Sequence, residues 1–360
     1  MNIPALAASL VAGLDLLLYL LPLPIILLAN IAELAPDRLS PALAERARLA
    51  SWGVLALIGA GTIVVGLGAL ATGNGRPAYA LVMLIGGAVC VGLVSEQARV
   101  AVARILPVDP ASALDATALA LTVVMVAMQL GTQLSGDVLA QVASTAQRLR
   151  PADLVLQEIP FLLAALLGVG LLVRRSPGQA LTRLGLVRPE AWQIVLALAA
   201  AGMFYAFSVG MDAAAQALTP GLSHKVNEAT DRLFGQLNTP LGIATIALSA
   251  GICEETLFRG ALQPRLGLLW TAIVFAVIHS QYGLSLSAVA VLLLAIGLGL
   301  LRRFTNTTTT MVCHTAYNAA VGAQLGQIFF GPSLIVEAAL LASLGGLLVH
   351  RQGVTHRLQT

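Results

Sequence analysis

Charge is what this chain has least of. Of its 360 residues only 10% are Asp, Glu, Lys or Arg, against 58% hydrophobic. A soluble domain carries about 25% charged residues, so the ratio excludes a soluble globular protein and leaves a polytopic membrane protein. Cysteine is nearly missing as well. Cys90, Cys253 and Cys313 all fall inside apolar runs, which excludes a disulfide framework and reads as small packing residues. There is no His-Glu-x-x-His, no Gly-x-Ser-x-Gly and no glycine-rich phosphate loop with a lysine, so those three catalytic signatures drop out. The opening Met1-Asn2-Ile3-Pro4 has no basic n-region, the first cation being Arg38; no cleaved signal peptide is expected. No repeat at a fixed period is visible.

What is present is a series of apolar runs long enough to cross a bilayer, each of roughly 20 residues. They begin near Ile3, Ala50, Ala78, Ala116, Ile159, Ala191, Pro240, Leu268, Leu284, Thr308 and Ser333. The expected fold is all-α, a transmembrane helical bundle of about eleven spans. Two polar stretches at helical spacing, 137–149 and 222–237, read as interfacial amphipathic helices. The net charge of +3 could suggest nucleic acid, but the basic residues sit in short loops and are topology signals. With Arg174 to Arg188 cytoplasmic, alternation puts fifteen of the twenty cations inside and leaves Arg76, Arg148, Arg150, Lys225 and Arg232 outside. The N-terminus is then expected outside and the C-terminus in the cytoplasm.

Residues 1–150, about four spans, offer no chemistry: Glu96 and Asp115 stand at span edges. The polar residues that demand explanation lie further on. From Leu241 to Cys253 no charge occurs, and then Glu254-Glu255-Thr256-Leu257-Phe258-Arg259 brings three ionisable groups within six positions. An ionisable group in a membrane helix is costly and marks a functional site by default. Glu255 and Arg259 are four apart and share a helix face, whereas Glu254 is turned about 100° away and lacks a local cation. His279 follows Phe275 by four, and His314 precedes Asn318 by four. A lone membrane histidine is more often an interhelical hydrogen-bonding residue than a catalyst. Here depth argues otherwise. Counting inward from Arg265, Leu268 and Thr305, Glu254, His279 and His314 all lie about 14–17 Å from the same face.

A Glu, two His and an Asn at one level suit hydrolysis of a peptide bond. A partly desolvated carboxylate can take a proton from water, and imidazole and carboxamide N–H groups can stabilise an oxyanion. The same set could hold a divalent metal such as zinc through Glu254, His279 and His314 with a position open for water. Cys253 and Cys313 adjoin these residues but point about 100° away on a helix.

These motifs resemble, in order, those of the CAAX protease and bacteriocin-processing family, which holds the type II CAAX prenyl endopeptidases and their bacterial relatives. They are E-E-x-x-x-R at Glu254, Glu255 and Arg259, F-x-x-x-H at Phe275 and His279, and H-x-x-x-N at His314 and Asn318. The resemblance spans about 181–327, with its motif core at 240–323. It implies an intramembrane protease domain over 151–350 whose site opens to the cytoplasm. The residue matching Glu254 would activate water with help from His279. His314 and Asn318 would form an oxyanion hole, and Glu255 and Arg259 would support. The family leaves the metal question open. Substrates would be peptides or proteins, lipidated or membrane-anchored ones included, with the bilayer as the other partner and no nucleic acid. Composition suggests a bacterial plasma membrane. Two competing readings remain: a catalytically silent protein of this fold that binds a partner or gives immunity to a peptide toxin, and a proton-relaying transporter. The intact set of four polar residues favours the enzyme.

Overall fold

The computed structural model describes residues 20–34, 38–72, 77–144, 148–325 and 334–346. Among them the chain is helical, with one isolated bridge between Leu171 and Arg175 and no strand. In chain order the helices are α1 Pro22–Ala32, α2 Pro41–Ala71, α3 Pro77–Gly92, α4 Glu96–Ala103, α5 Ala113–Leu134, α6 Val138–Ser144, α7 Pro151–Gly168 and α8 Pro177–Leu184. There follow α9 Ala191–Leu218, α10 Pro220–Phe234, α11 Pro240–Ser249, α12 Gln263–Ile278, α13 Leu286–Phe304 and α14 Thr307–Gly322, then α15 Leu334–Gly346. Seven of these open on proline, whose fixed φ and missing N–H suit a first turn; proline thus sets where the helices begin.

Each of the eleven expected apolar runs carries helix among its described residues, although residues 1–19, where the run near Ile3 opens, lie outside them. Fewer qualify as spans. Among the described residues six helices are long and apolar enough to cross a membrane, or seven if α3 and α4, bent by 104°, count as one. The first run is described only from residue 20, where its helix is 11 residues long; the rest of the difference has two causes. Pro240–Ile278 is a single 39-residue stretch, broken only where Gly267 takes φ 75° and ψ 170°. And α14 and α15 are shorter than the roughly 20 residues a full crossing needs. Outward-facing Leu57, Val64 and Leu81 are exposed, as lipid-facing residues of a bundle must be. Both amphipathic stretches are helical, as α6 and as α10 with a 3-10 turn at Gly235–Leu237.

The described residues form two compact units. The first comprises 1–136, 159–180 and 264–267. Within it α2 and α3 cross at Gly59 and Gly87, where a Cβ on either would stand 2.7–2.8 Å from the other's carbonyl oxygen; small residues let membrane helices approach this closely. A buried polar network ties this unit. Asn30, 0% exposed, donates to the carbonyls of Ile26 and Leu167 (2.9 and 2.8 Å) and accepts from Arg174 Nε (2.9 Å). Arg174 pairs with Glu33, which also accepts from the Ser112 hydroxyl and from Leu114 N. Arg265 pairs with Asp115 at 2.7 Å.

The second unit comprises 137–158, 181–263 and 268–360. Its core packs Ala197 and Ala201 of α9 against Leu298, Leu301 and Cys313 of α13 and α14. Two glycines of α13 are close-packing positions: a Cβ on Gly297 would meet the Phe204 ring at 2.6 Å, and one on Gly299 would meet Leu268 at 3.0 Å. Thr307 fastens the start of α14 to the end of α8, its N–H to the Gly185 carbonyl at 3.0 Å and its hydroxyl to that of Leu184 at 2.5 Å. At the edge of this unit, outside the spans, the Lys225 ammonium hydrogen-bonded to Asp137 holds that carboxyl below the usual carboxylate range.

Candidate active site

The site is built on the continuation of α11. Thr239 caps the helix, its hydroxyl accepting from Gly242 N at 3.1 Å. Ten residues on, the winding changes: Ala250–Glu254 and Thr256–Leu262 are π-helical. Such turns are rare, appear as single bulges inside α-helices and gather at functional sites. Gly251 lies where this stretch meets α14. A Cβ there would come within 3.1 Å of Thr315 N and overlap the Thr315 hydroxyl, so only glycine admits the approach. The widened turns carry Glu254 and Glu255 inward, 7% and 0% exposed.

Glu255 meets two partners through one oxygen. Arg259 Nη1 donates to its Oε1 at 3.0 Å, and His314 Nδ1 lies 2.8 Å from the same atom. An ionised carboxylate only accepts, so His314 carries its proton on Nδ1 and presents Nε2 elsewhere. Arg259, itself 1% exposed, also donates to the Ala295 carbonyl at 3.3 Å. The i, i+4 pairing expected from sequence is therefore present, and His314 joins it.

Glu254 faces the other imidazole: His279 Nε2 is 4.0 Å from Glu254 Oε1. His279 Nδ1 is 2.7 Å from the Phe275 carbonyl, which can only accept. The neutral ring thus keeps its proton on Nδ1 and turns a lone pair toward Glu254. The structure gives one imidazole to each carboxylate, whereas the sequence reading aimed both at Glu254. Asn318 lies one turn beyond His314 on α14, partly buried.

Phe275 sits at the hub of this arrangement. Its ring is 4.4 Å from that of His279, 6.2 Å from that of His314 and 5.0 Å, edge to face, from that of Phe258. The Arg259 guanidinium lies 4.5 Å from its centroid, within cation–π range. One apolar ring thus separates the two Glu–His pairs and braces both imidazoles.

Sequence reasoning missed Glu158. It is 8% exposed, its Oε2 has no hydrogen-bond partner among the described residues, and it lies in electrostatic range of Glu254 and Cys253. Starting the span at Ile159 left this carboxyl at an edge, but α7 begins at Pro151 and encloses it. The rule applied to Glu254, that a carboxyl within an apolar run marks a site, would have found it. Tyr282, whose ring stacks near His279 at 6.4 Å and 12°, left no sequence signal.

Glu254, His279 and His314 do not fit a three-ligand metal site. Among the described residues no three His, Cys, Asp or Glu are grouped to hold an ion.

No curated protein and no solved structure matches the chain. A family model described as type II CAAX prenyl endopeptidase Rce1-like matches residues 236–320, a stretch that contains Glu254, Glu255, Arg259, Phe275, His279, His314 and Asn318. With its motif residues drawn together in a helical unit, the stretch from 236 to 320 is similar to the Rce1-like family of type II CAAX prenyl endopeptidases, whose description is that of a peptide-bond hydrolase.

Proposed function

We propose that the protein is an intramembrane endopeptidase in which Glu254 is the general base. The observation that supports this best is the facing of Glu254 and His279 across 4.0 Å. That gap is too long for a hydrogen bond and suits one bridging water. Both flanking atoms are acceptors, so such a water directs its two protons at Glu254 and at His279 Nε2 and keeps a lone pair for a peptide carbonyl. Glu254 takes one proton as the bond to carbon forms and returns it to the leaving amine. His314 Nε2 and the Asn318 carboxamide serve the oxyanion. As a donor His314 carries both ring protons, with Glu255 as its counter-charge, and Arg259 anchors Glu255. The protease domain occupies 151–350 in this reading, the site opens to the cytoplasm and the N-terminus is external, as the distribution of cations favours. The substrate class is a peptide presented at the membrane by an anchor of its own.

The test is cleavage of membrane-tethered fluorogenic peptides by the purified protein in nanodiscs. Wild type is expected to cleave and Glu254→Gln to lose about 10²–10⁴-fold in rate. Cleavage by Glu254→Gln at the wild-type rate overturns the assignment of Glu254 as the base, whereas no cleavage by wild type favours the silent, partner-binding reading.

A further inference from the structure

His279 is the first residue beyond α12, at φ −81° and ψ 54°, and on its C-terminal side a single 3-10 hydrogen bond, from Tyr282 N to its carbonyl at 3.1 Å, replaces the α-helical ladder. The chain then makes a single 3-10 turn, Ser280–Tyr282, and reverses at Gly283, where φ is 55°. Two rings flank the imidazole: Phe275 at 4.4 Å and Tyr282 at 6.4 Å, the latter within 12° of parallel. Phe275 is fixed within α12. Tyr282 is on the loose turn, and what backs it comes from elsewhere. Leu139, Val226 and Ala229 form a buried cluster in which Tyr282 also packs, with Val142 and Leu222 beside it. Leu139 also closes on Gly283, its side chain 3.3 Å from where a Cβ would stand. These residues belong to α6 and α10, joined at their rim by Lys225 and Asp137.

We infer that Tyr282 is a positioning residue for His279, and that the amphipathic helices α6 and α10 are the clamp that presses it into place. The inference rests on His279 acting in the proposed reaction. Stacking orients the imidazole, and the Phe275 carbonyl fixes its tautomer; together they aim Nε2 at Glu254. A misplacement of about 1 Å can cost about 10²-fold in rate, so a turn held by only two backbone hydrogen bonds, Tyr282 N to the His279 carbonyl and Gly283 N to that of Ser280, gains from such backing.

The experiment uses the full chain in nanodiscs and reads two signals, peptide cleavage and the ¹⁵N resonances of the His279 ring. Wild type is expected to show one ring form, protonated at Nδ1. Tyr282→Leu removes the stacking face while keeping an apolar side chain. It should lower kcat about 10-fold or more with KM little changed, and shift or broaden the His279 resonances. Tyr282→Phe, which keeps the ring, should restore both. Leu139→Ala leaves Tyr282 in place and loosens only its backing, and should shift the resonances in the same direction; it carries the test if Tyr282→Leu does not fold. Unchanged His279 resonances in both Tyr282→Leu and Leu139→Ala overturn the inference. A wild type that cleaves nothing, yet whose His279 resonances respond to Tyr282→Leu, refutes the proposed activity and leaves the clamp standing.

Discussion

Two charge clusters in this protein, one partly buried and one buried, invite comparison, because they solve the same problem differently. In the first unit, Glu33 and Asp115 use both oxygens. Glu33 accepts from Ser112, Leu114 and Arg174, and Asp115 accepts from Arg265 and from Asp109 N. In the second unit, Glu254 and Glu255 each keep an Oε2 with no hydrogen-bond partner among the described residues. The Thr310 hydroxyl, which donates to the Thr307 carbonyl at 2.8 Å, also stands within hydrogen-bonding range of Glu255. An unpaired buried oxygen is costly, and native proteins rarely leave one without reason. Satisfied carboxylates hold helices together; an unsatisfied one is available to a substrate or a water. In the proposed reading, the difference sets Glu254 apart from the structural charges where composition cannot.

The largest effect expected from breaking the second cluster is the loss of activity in Glu254→Gln, about 10²–10⁴-fold. It should come with little change in melting temperature, since Glu254 has no cation of its own to orphan. Glu255→Gln should behave in the opposite sense. It strips the counter-charge from Arg259 and His314, and breaking a buried pair from one side costs about 3–5 kcal/mol. Thermal unfolding in detergent should reveal that loss before any assay is run. A Glu255→Gln protein as stable as wild type would mean that Arg259 does not depend on the pair.

The first cluster supplies the contrast. Asp115→Asn keeps the shape but removes the charge facing Arg265, and a hydrogen bond to a charged group is worth about 1.5–3 kcal/mol. Melting temperature should fall, while cleavage per folded molecule should match wild type. A selective loss of kcat at unchanged stability would show that the two clusters are not the separate kinds described here.

The sequence made legible what depends on spacing within one helix. Apolar runs near 20 residues long announced the helical segments, and the four-residue step from Glu255 to Arg259 announced an ion pair that stands at 3.0 Å. The polar spacing at 222–237 announced α10. Contacts between distant segments were not legible. Asp115 was read as an edge charge because its partner Arg265 is 150 residues away. His314 was assigned by depth to Glu254, since depth cannot distinguish two adjacent carboxylates. Nor does residue type report π-winding, which alters how Glu254 and Glu255 are presented after the α-helical wheel has been drawn. The depth argument succeeded in a coarser way: it brought the right helices together and left the pairing to the structure.

The smallest expected effect concerns Glu158 and sharpens the comparison most. Its carboxyl has the mark of the second cluster, an unpaired Oε2 in a buried side chain, yet it has no motif, and it lies outside the matched stretch 236–320. An unpartnered polar group inside a fold costs free energy, so replacing it with an apolar group of similar size should be neutral or stabilising. Glu158→Leu is therefore expected to melt at or slightly above the wild-type temperature. If it melts lower, Glu158 belongs with Glu33 and Asp115 as a structural charge whose partner is satisfied in the bilayer. If it melts higher and cleaves more slowly, the protein retains a destabilising carboxyl next to its proposed base, and stability has been given up for the reaction. If it melts higher and cleaves as wild type does, an unpaired carboxylate oxygen is not enough to mark a catalytic group. Glu254 would then be distinguished by His279, 4.0 Å away, rather than by its solitude.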